Sequence, residues 1–214
     1  TGIGTDNCDI VLKELDALAN IDFATRTEKD EHRTLEIVRI GTCGGMQEDI
    51  PLGTFLVSEK SIGWDGVLAF YEGRDEIADL GFEDALVDFI HYPAKAARPY
   101  VVAANPELVN RIAGDDMMRG CTIAANGFYG PQGRVLRCDL AVKDINERIT
   151  DFRYEGQRIT NYEMEGSAIA GLSLLMGHKA MTVCCVIAQR KVEAANTDYK
   201  PRIKQLVQTV LERI

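Results

Sequence analysis

Histidine is scarce in this chain, three residues in 214, and no Cys-x-x-Cys pair accompanies them. Zinc-type clusters need such donors at close spacing, so a Cys/His metal site is not the first reading. No apolar stretch approaches the ~20 residues of a membrane span. Nor does a basic region followed by an apolar run and a small-residue cleavage site mark a secretory leader. Basic charge is in deficit: 24 Lys and Arg stand against 33 Asp and Glu, a formal net charge of −9. Nucleic acid and an anionic membrane are therefore poor partners. A small anionic substrate would have to be held by a few placed arginines, although acidity by itself only serves solubility.

Of the six cysteines, Cys184 and Cys185 are adjacent in the apolar run Met181-Thr-Val-Cys-Cys-Val-Ile187. Neighbouring strand residues point to opposite faces, so these two read as small hydrophobes rather than disulfide partners. A reducing compartment, the cytoplasm, is the expectation. The chain starts at Thr1 rather than Met, on what reads as the end of a strand, which suggests a fragment.

With 46% hydrophobic and 27% charged residues, the composition suits one globular domain over 1–214. Strands are expected at Glu36–Gly41, Thr54–Ser61, Gly120–Asn126 and Lys179–Ala188, the last apolar enough to be covered on both faces. Apolar spacing predicts helices over Cys8–Ala19, over Glu165–Met176 with a stop at Gly177, and over Thr197–Ile214 behind a Thr/Asp cap. Pro201 falls in the first turn of the last, where it is tolerated. This alternation predicts an α/β domain with a largely parallel sheet flanked by helices. The charged stretch Ile62–Pro99 reads as an excursion from that sheet.

Four segments next to predicted strand ends are candidates for chemistry. Val38-Arg-Ile-Gly-Thr-Cys-Gly-Gly45 combines glycines that allow close backbone approach with Arg39 inside a strand; a glycine turn with a structural ion pair is the plainer alternative. That run lacks GxGxxG spacing and an acidic ribose partner, so a dinucleotide cofactor is a weak rival. Gly127-Phe-Tyr-Gly-Pro-Gln-Gly-Arg134 offers an aromatic face, a carboxamide and a guanidinium. Gln132 donates and accepts while Arg134 only donates, which suits the acceptor–donor–acceptor edge of uracil, with Phe128 free to stack. A solvated Gly/Pro turn is the plainer alternative there. In Tyr162-Glu-Met-Glu-Gly166, Glu165 is placed to accept from sugar hydroxyls and Met164 to pack on the sugar, unless the acids only complement a helix dipole. Ile187-Ala-Gln-Arg190 leaves open whether Arg190 caps a strand or reaches a site.

Together and in this order, the segments resemble the nucleoside phosphorylase family, in its uridine phosphorylase branch. The resemblance is carried by Thr1-Gly-Ile-Gly4, Arg39-Ile-Gly-Thr-Cys-Gly-Gly45, Phe128-Tyr-Gly-Pro-Gln-Gly-Arg134, Glu163-Met-Glu165 and Val186-Ile-Ala-Gln-Arg190. It implies a three-layer α/β domain with a mixed, largely parallel central sheet, and reversible phosphorolysis of uridine to uracil and ribose 1-phosphate. By the resemblance, Arg39 and Thr42 bind phosphate, and Cys43 and Gly44 line the base pocket. Phe128, Gln132 and Arg134 take the uracil, Tyr162 and Glu163 form the pocket wall, Met164 and Glu165 hold the ribose, and Arg190 lies near Arg134. Arg39, Thr42 and Arg134 are the expected catalytic groups. Purine-specific relatives carry an aspartate after the late strand, and Ile187-Ala-Gln-Arg190 has none. A purine nucleoside phosphorylase, a nucleoside hydrolase of the same fold and a silent nucleoside binder remain the rivals.

The resemblance further implies an upstream segment with a phosphate loop that the 214 residues do not contain. It implies no organic cofactor, inorganic phosphate as co-substrate, and a homo-oligomer, dimeric or a hexamer of dimers. A monovalent cation between subunits would fall near Ile3 and Asn7.

Overall fold

The computed structural model describes residues 3–191 and 194–214, so Thr1 and Gly2 of the first motif lie outside the described residues. In chain order the principal elements are α1 (Thr5–Asn20), β1 (Glu36–Gly45), β2 (Phe55–Gly63), α2 (Leu80–Ile90), β3 (Tyr100–Ala103), α3 (Pro106–Ile112) and β4 (Met117–Ala124). They continue with α4 (Ile145–Asp151), β5 (Gln157–Glu163), α5 (Gly166–Leu175), β6 (Lys179–Gln189) and α6 (Lys200–Arg213). Among the described residues, no helix is long and apolar enough to cross a membrane.

The main sheet runs in the order Ala194–Ala195, β6, β1, β5, β4, β2, β3. It is mixed. Parallel ladders join β1 to β6, β2 to β4 and β4 to β5; antiparallel ones join β1 to β5 and β2 to β3. Strand β2 also pairs antiparallel with β6, from Phe55↔Cys185 to Ser58↔Thr182. That contact curls the sheet round on itself and covers two edges that would otherwise stand open.

Helices cover the sheet from both sides. Leu108, Val109 and Ile112 of α3 and Leu206 and Val210 of α6 pack on Val57, Val183 and Cys185. On the other flank, Cys8 and Leu12 of α1 meet Ala168 and Leu172 of α5 over Tyr100, Val102 and Ala180. Phe82, Leu86 and Ile90 of α2 join Ile145 and Ile149 of α4 against Ile62, Ile123 and Ile159. Cys184 turns the other way from Cys185, toward Cys43, Leu56 and Val186. The two thiols thus face opposite sides of β6, as strand alternation requires.

The expected strands and helices are all present, with shifted ends. β1 does not stop at Gly41 but runs through the whole glycine-rich stretch to Gly45, because β6 pairs with it residue by residue. α6 begins at Lys200 rather than Thr197, and its cap position, Tyr199, makes no side-chain cap bond, so the Thr/Asp cap is corrected. The excursion Ile62–Pro99 contains α2, whose Asp79 side chain accepts the Phe82 amide as a helix cap. Strands β3 and β5 and helices α3 and α4 were not expected from the pattern of apolar residues.

Candidate active site

β1 and β5 pair only at Gly44↔Tyr162 and Gly45↔Asn161. Beyond Tyr162 the strands separate, and a cavity of about 300 Å³ opens between them. Its walls come from the second half of β1, the end of β5, the end of β6 and the turn after β4, with Ile3 at the rim. A bulge places Ile187 opposite no single β1 residue, since Cys43 pairs with Val186 and Gly44 with Ala188. Bulges re-aim side chains beside sites, and here Ile187 and Ala188 both reach the cavity wall.

On the β1 side, Arg39, Thr42, Cys43 and Gly44 line the cavity. Arg39 projects across the gap and is held by two carboxylates, Glu163 Oε2 at 3.0 Å and Glu165. It also donates to Cys184 Sγ at 3.2 Å. Burial works against its charge, yet Cys184, Glu163 and Glu165 together keep its pKa above the ordinary arginine value. Gly41 makes room for this fold-back: a Cβ there would come within 2.6 Å of Arg39 Nη1.

Glu163 is 3% exposed. Besides Arg39, it accepts the amides of Glu165 at 2.9 Å and Gly166 at 3.0 Å, so it closes the start of α5 from inside. Burial pushes its carboxyl pKa up, with Arg39 and the two amides pulling the other way. Glu165 lines the cavity with it and accepts the Gly4 amide at 2.7 Å. Met164 lies between them on the wall. The dipole-complement role considered for the two acids therefore belongs to Glu163, although both acids line the cavity.

At the opposite end, Gln132 is 4% exposed and its carboxamide oxygen accepts from two guanidiniums, Arg134 Nη1 at 2.6 Å and Arg190 Nη2 at 2.7 Å. Arg190 also holds the Gln132 carbonyl at 2.8 Å and lies over the Tyr162 ring, 4.7 Å from its centroid. Arg134 stacks over Phe128 at 3.9 Å. Among the described residues neither arginine is paired with a carboxylate, unlike Arg39. Burial, and then the charge of Arg134, lowers the Arg190 pKa to about 10; burial lowers that of Arg134 as well. Two crowded cations in an acidic protein favour an electron-rich ligand edge beside Gln132.

All the expected site residues thus converge on one cavity or, for Arg190, directly behind it. One positioning residue escaped the sequence reading. Asn146, at the start of α4, donates to the carbonyls of Gln132 and Gly133, both at 3.2 Å, and its oxygen accepts the Tyr162 hydroxyl at 3.2 Å. It fixes the turn that carries Gln132, and nothing in its local sequence marks it.

Fold and site together define an α/β protein with a compact cavity at strand ends, with two guanidiniums at one pole and a single arginine held by two carboxylates at the other. The phosphorylase superfamily pattern matches residues 1–213, and the chain belongs to that superfamily. It is similar to a uridine phosphorylase of Thermococcus kodakarensis, 24% identical over 192 residues, and to one of Haemophilus influenzae, 25% identical over 190. Each match covers 89% of this chain but 56% and 62% of the respective relative, so the chain spans roughly three fifths of their length. Among solved structures it is similar to a Trypanosoma brucei nucleoside phosphorylase described as showing uridine phosphorylase activity. The TM-score is 0.82 at 25% identity, covering all of this chain and 77% of that one.

Proposed function

We propose that the protein is a pentosyltransferase that cleaves uridine with inorganic phosphate, giving uracil and ribose 1-phosphate. The observation that carries this reading is Gln132, its carboxamide oxygen gripped by Arg134 and Arg190, beside the Phe128 ring. A pyrimidine dione presents two carbonyl oxygens on either side of an N–H. When the glycosidic bond loosens, negative charge collects on those oxygens. Donors already aimed there stabilise the transition state more than the neutral ground state.

In this reading phosphate enters at the Arg39–Thr42 pole and attacks C1′ as an oxocarbenium-like sugar forms, with phosphate in place of a carboxylate nucleophile. The planar fork of Arg39 suits phosphate. Since two carboxylates already hold it, an arriving dianion must share it with Glu163 and Glu165. Glu165 would take the ribose hydroxyls and Met164 the sugar face, while Cys43, Gly44, Tyr162 and Glu163 close the pocket. No organic cofactor enters the scheme. The homo-oligomer, as a dimer or hexamer of dimers, belongs to the same proposal. So does a monovalent cation at Ile3 and Asn7. The Ile3 carbonyl already accepts from Asn7 Nδ2 at 2.7 Å, so these two residues would supply only part of a coordination shell and a second subunit the rest.

Replacing Arg134 by Ala should lower uridine kcat/KM by about two orders of magnitude, since one such donor contributes on the order of 2.7–4 kcal/mol to the barrier. Near-normal turnover of uridine by Arg134→Ala would refute the base-end assignment.

A further inference from the structure

Behind the acidic pole of the cavity sits a hydroxyl without a partner. Thr182 of β6 stands opposite Arg39 in the parallel β1–β6 ladder and opposite Ser58 in the β2–β6 ladder. Residues paired across a ladder project to the same face of the sheet, so Thr182 lies beside the root of Arg39. It is 2% exposed, and its Oγ1 has no hydrogen-bond partner among the described residues. Buried polar groups are ordinarily paired, and an exception calls for an explanation. The other hydroxyls of this layer are already committed. Ser58 Oγ bonds Thr122 Oγ1 at 2.7 Å, and Thr122 Oγ1 bonds Asn161 Oδ1 at 2.9 Å.

The direction of Thr182 follows from Gly166. A Cβ on that glycine would stand 3.2 Å from Thr182 Oγ1 and 3.0 Å from Glu163 Oε1. Hydroxyl and carboxylate thus flank one point, which the missing side chain leaves open. At rest Glu163 is served by Arg39 and by the amides of Glu165 and Gly166, and Thr182 is left idle. A phosphate dianion at Arg39 competes for the guanidinium that Glu163 and Glu165 now hold. The Glu165 side chain keeps some contact with solvent, whereas that of Glu163 has none. A buried carboxylate drawn away from its cation stays charged at low cost only if another donor reaches it. Burial already pushes the Glu163 carboxyl pKa up while Arg39 pulls it down.

We propose that Thr182 is a positioning residue for phosphate capture, its hydroxyl turning onto Glu163 when phosphate draws Arg39 away. The inference rests on the phosphate role of Arg39 in the proposed phosphorolysis.

Phosphate calorimetry and steady-state kinetics on variants of the full-length protein test it. Thr182→Val keeps the shape and removes the donor. It should raise the phosphate Kd and KM about tenfold, the worth of one hydrogen bond to a charged group, while kcat at saturating phosphate changes far less. Thr182→Ser should restore phosphate affinity. Without phosphate, Thr182→Val should melt no lower than the parent, because a buried hydroxyl with no partner only costs stability. Ser58→Ala removes a hydroxyl of the same layer that is bonded elsewhere, and should leave the phosphate KM unchanged. Unaltered phosphate affinity in Thr182→Val overturns the proposal, as does a Thr182→Ser variant that binds phosphate as weakly as Thr182→Val. So does a lower melting temperature of Thr182→Val without phosphate, since the hydroxyl would then be paired at rest. An equal rise of phosphate KM in Ser58→Ala also overturns it, because a loosened layer would explain both. If the parent binds phosphate but leaves uridine intact, the phosphorolysis reading falls, and the calorimetric comparison of the Thr182 variants still decides this one.

Discussion

Asp65 and Arg39 are both half-hidden charges, and the structure treats them in opposite ways. Arg39 is surrounded by acceptors. Asp65 has only neutral donors: the Tyr100 hydroxyl at 3.0 Å, the Ser167 hydroxyl at 3.1 Å and the Val67 amide at 2.8 Å. Burial wins over these bonds and raises its carboxyl pKa. A carboxyl whose folded pKa exceeds its unfolded one destabilises the fold when ionised. That penalty is complete above the folded value and fades as pH falls through it toward the unfolded value near 3.8. Asp65→Asn removes the titration while keeping an acceptor for Val67 or Tyr100. Relative to this variant, the parent protein should therefore gain melting temperature between pH 8 and pH 4. A gap between the two melting curves that stays constant over that range would show that burial does not raise the Asp65 pKa.

At the scale of elements, the strands that alternate or run apolar were legible, and those with polar interiors were not. β6 announces itself as Ala-Met-Thr-Val-Cys-Cys-Val-Ile-Ala. β5, Gln157-Arg-Ile-Thr-Asn-Tyr-Glu163, is as deeply buried but hides Thr160 and Asn161 inside. These residues join Ser58 and Thr122 in a hydrogen-bonded chain, Ser58 Oγ to Thr122 Oγ1 at 2.7 Å and Thr122 Oγ1 to Asn161 Oδ1 at 2.9 Å. Polar residues that bond to one another inside a sheet leave no hydrophobic period to read. The candidate site was legible for a related reason: its residues lie in four compact segments whose types match a ligand edge. Asn146 was not, because its role is set by a contact 14 residues away. The turn it clamps yields a test. Gly133 has φ 66°, and a Cβ there would approach Asn146 Nδ2 to 2.3 Å. Gly133→Ala should destabilise the protein by about 1 kcal/mol or more and raise the uridine KM through displacement of Gln132. Unchanged denaturation midpoint and KM would show the turn to be more pliable than its geometry indicates.

For the whole molecule, strand–helix alternation foretold layers and a sheet but not its closure. The β2–β6 ladder joins residues more than 120 positions apart, and no local pattern encodes such a partner. Closure matters because it brings the ends of β4, β5 and β6 and the glycine half of β1 to one place, the usual seat of ligands in α/β folds. One pole of that place is cationic and unpaired by acids among the described residues; at the other an arginine is shared by two carboxylates. In the proposed reading, base and phosphate ends are thus separated across a single cavity. This separation is the core of the functional account. It is tested most directly by incubating the full-length protein with uridine or inosine, each with and without inorganic phosphate, and following free base and ribose 1-phosphate. The account predicts uracil and ribose 1-phosphate in equal amounts from uridine, only when phosphate is present, and little or no cleavage of inosine. Uracil release without phosphate, preferential cleavage of inosine, or binding of uridine without any cleavage would contradict it.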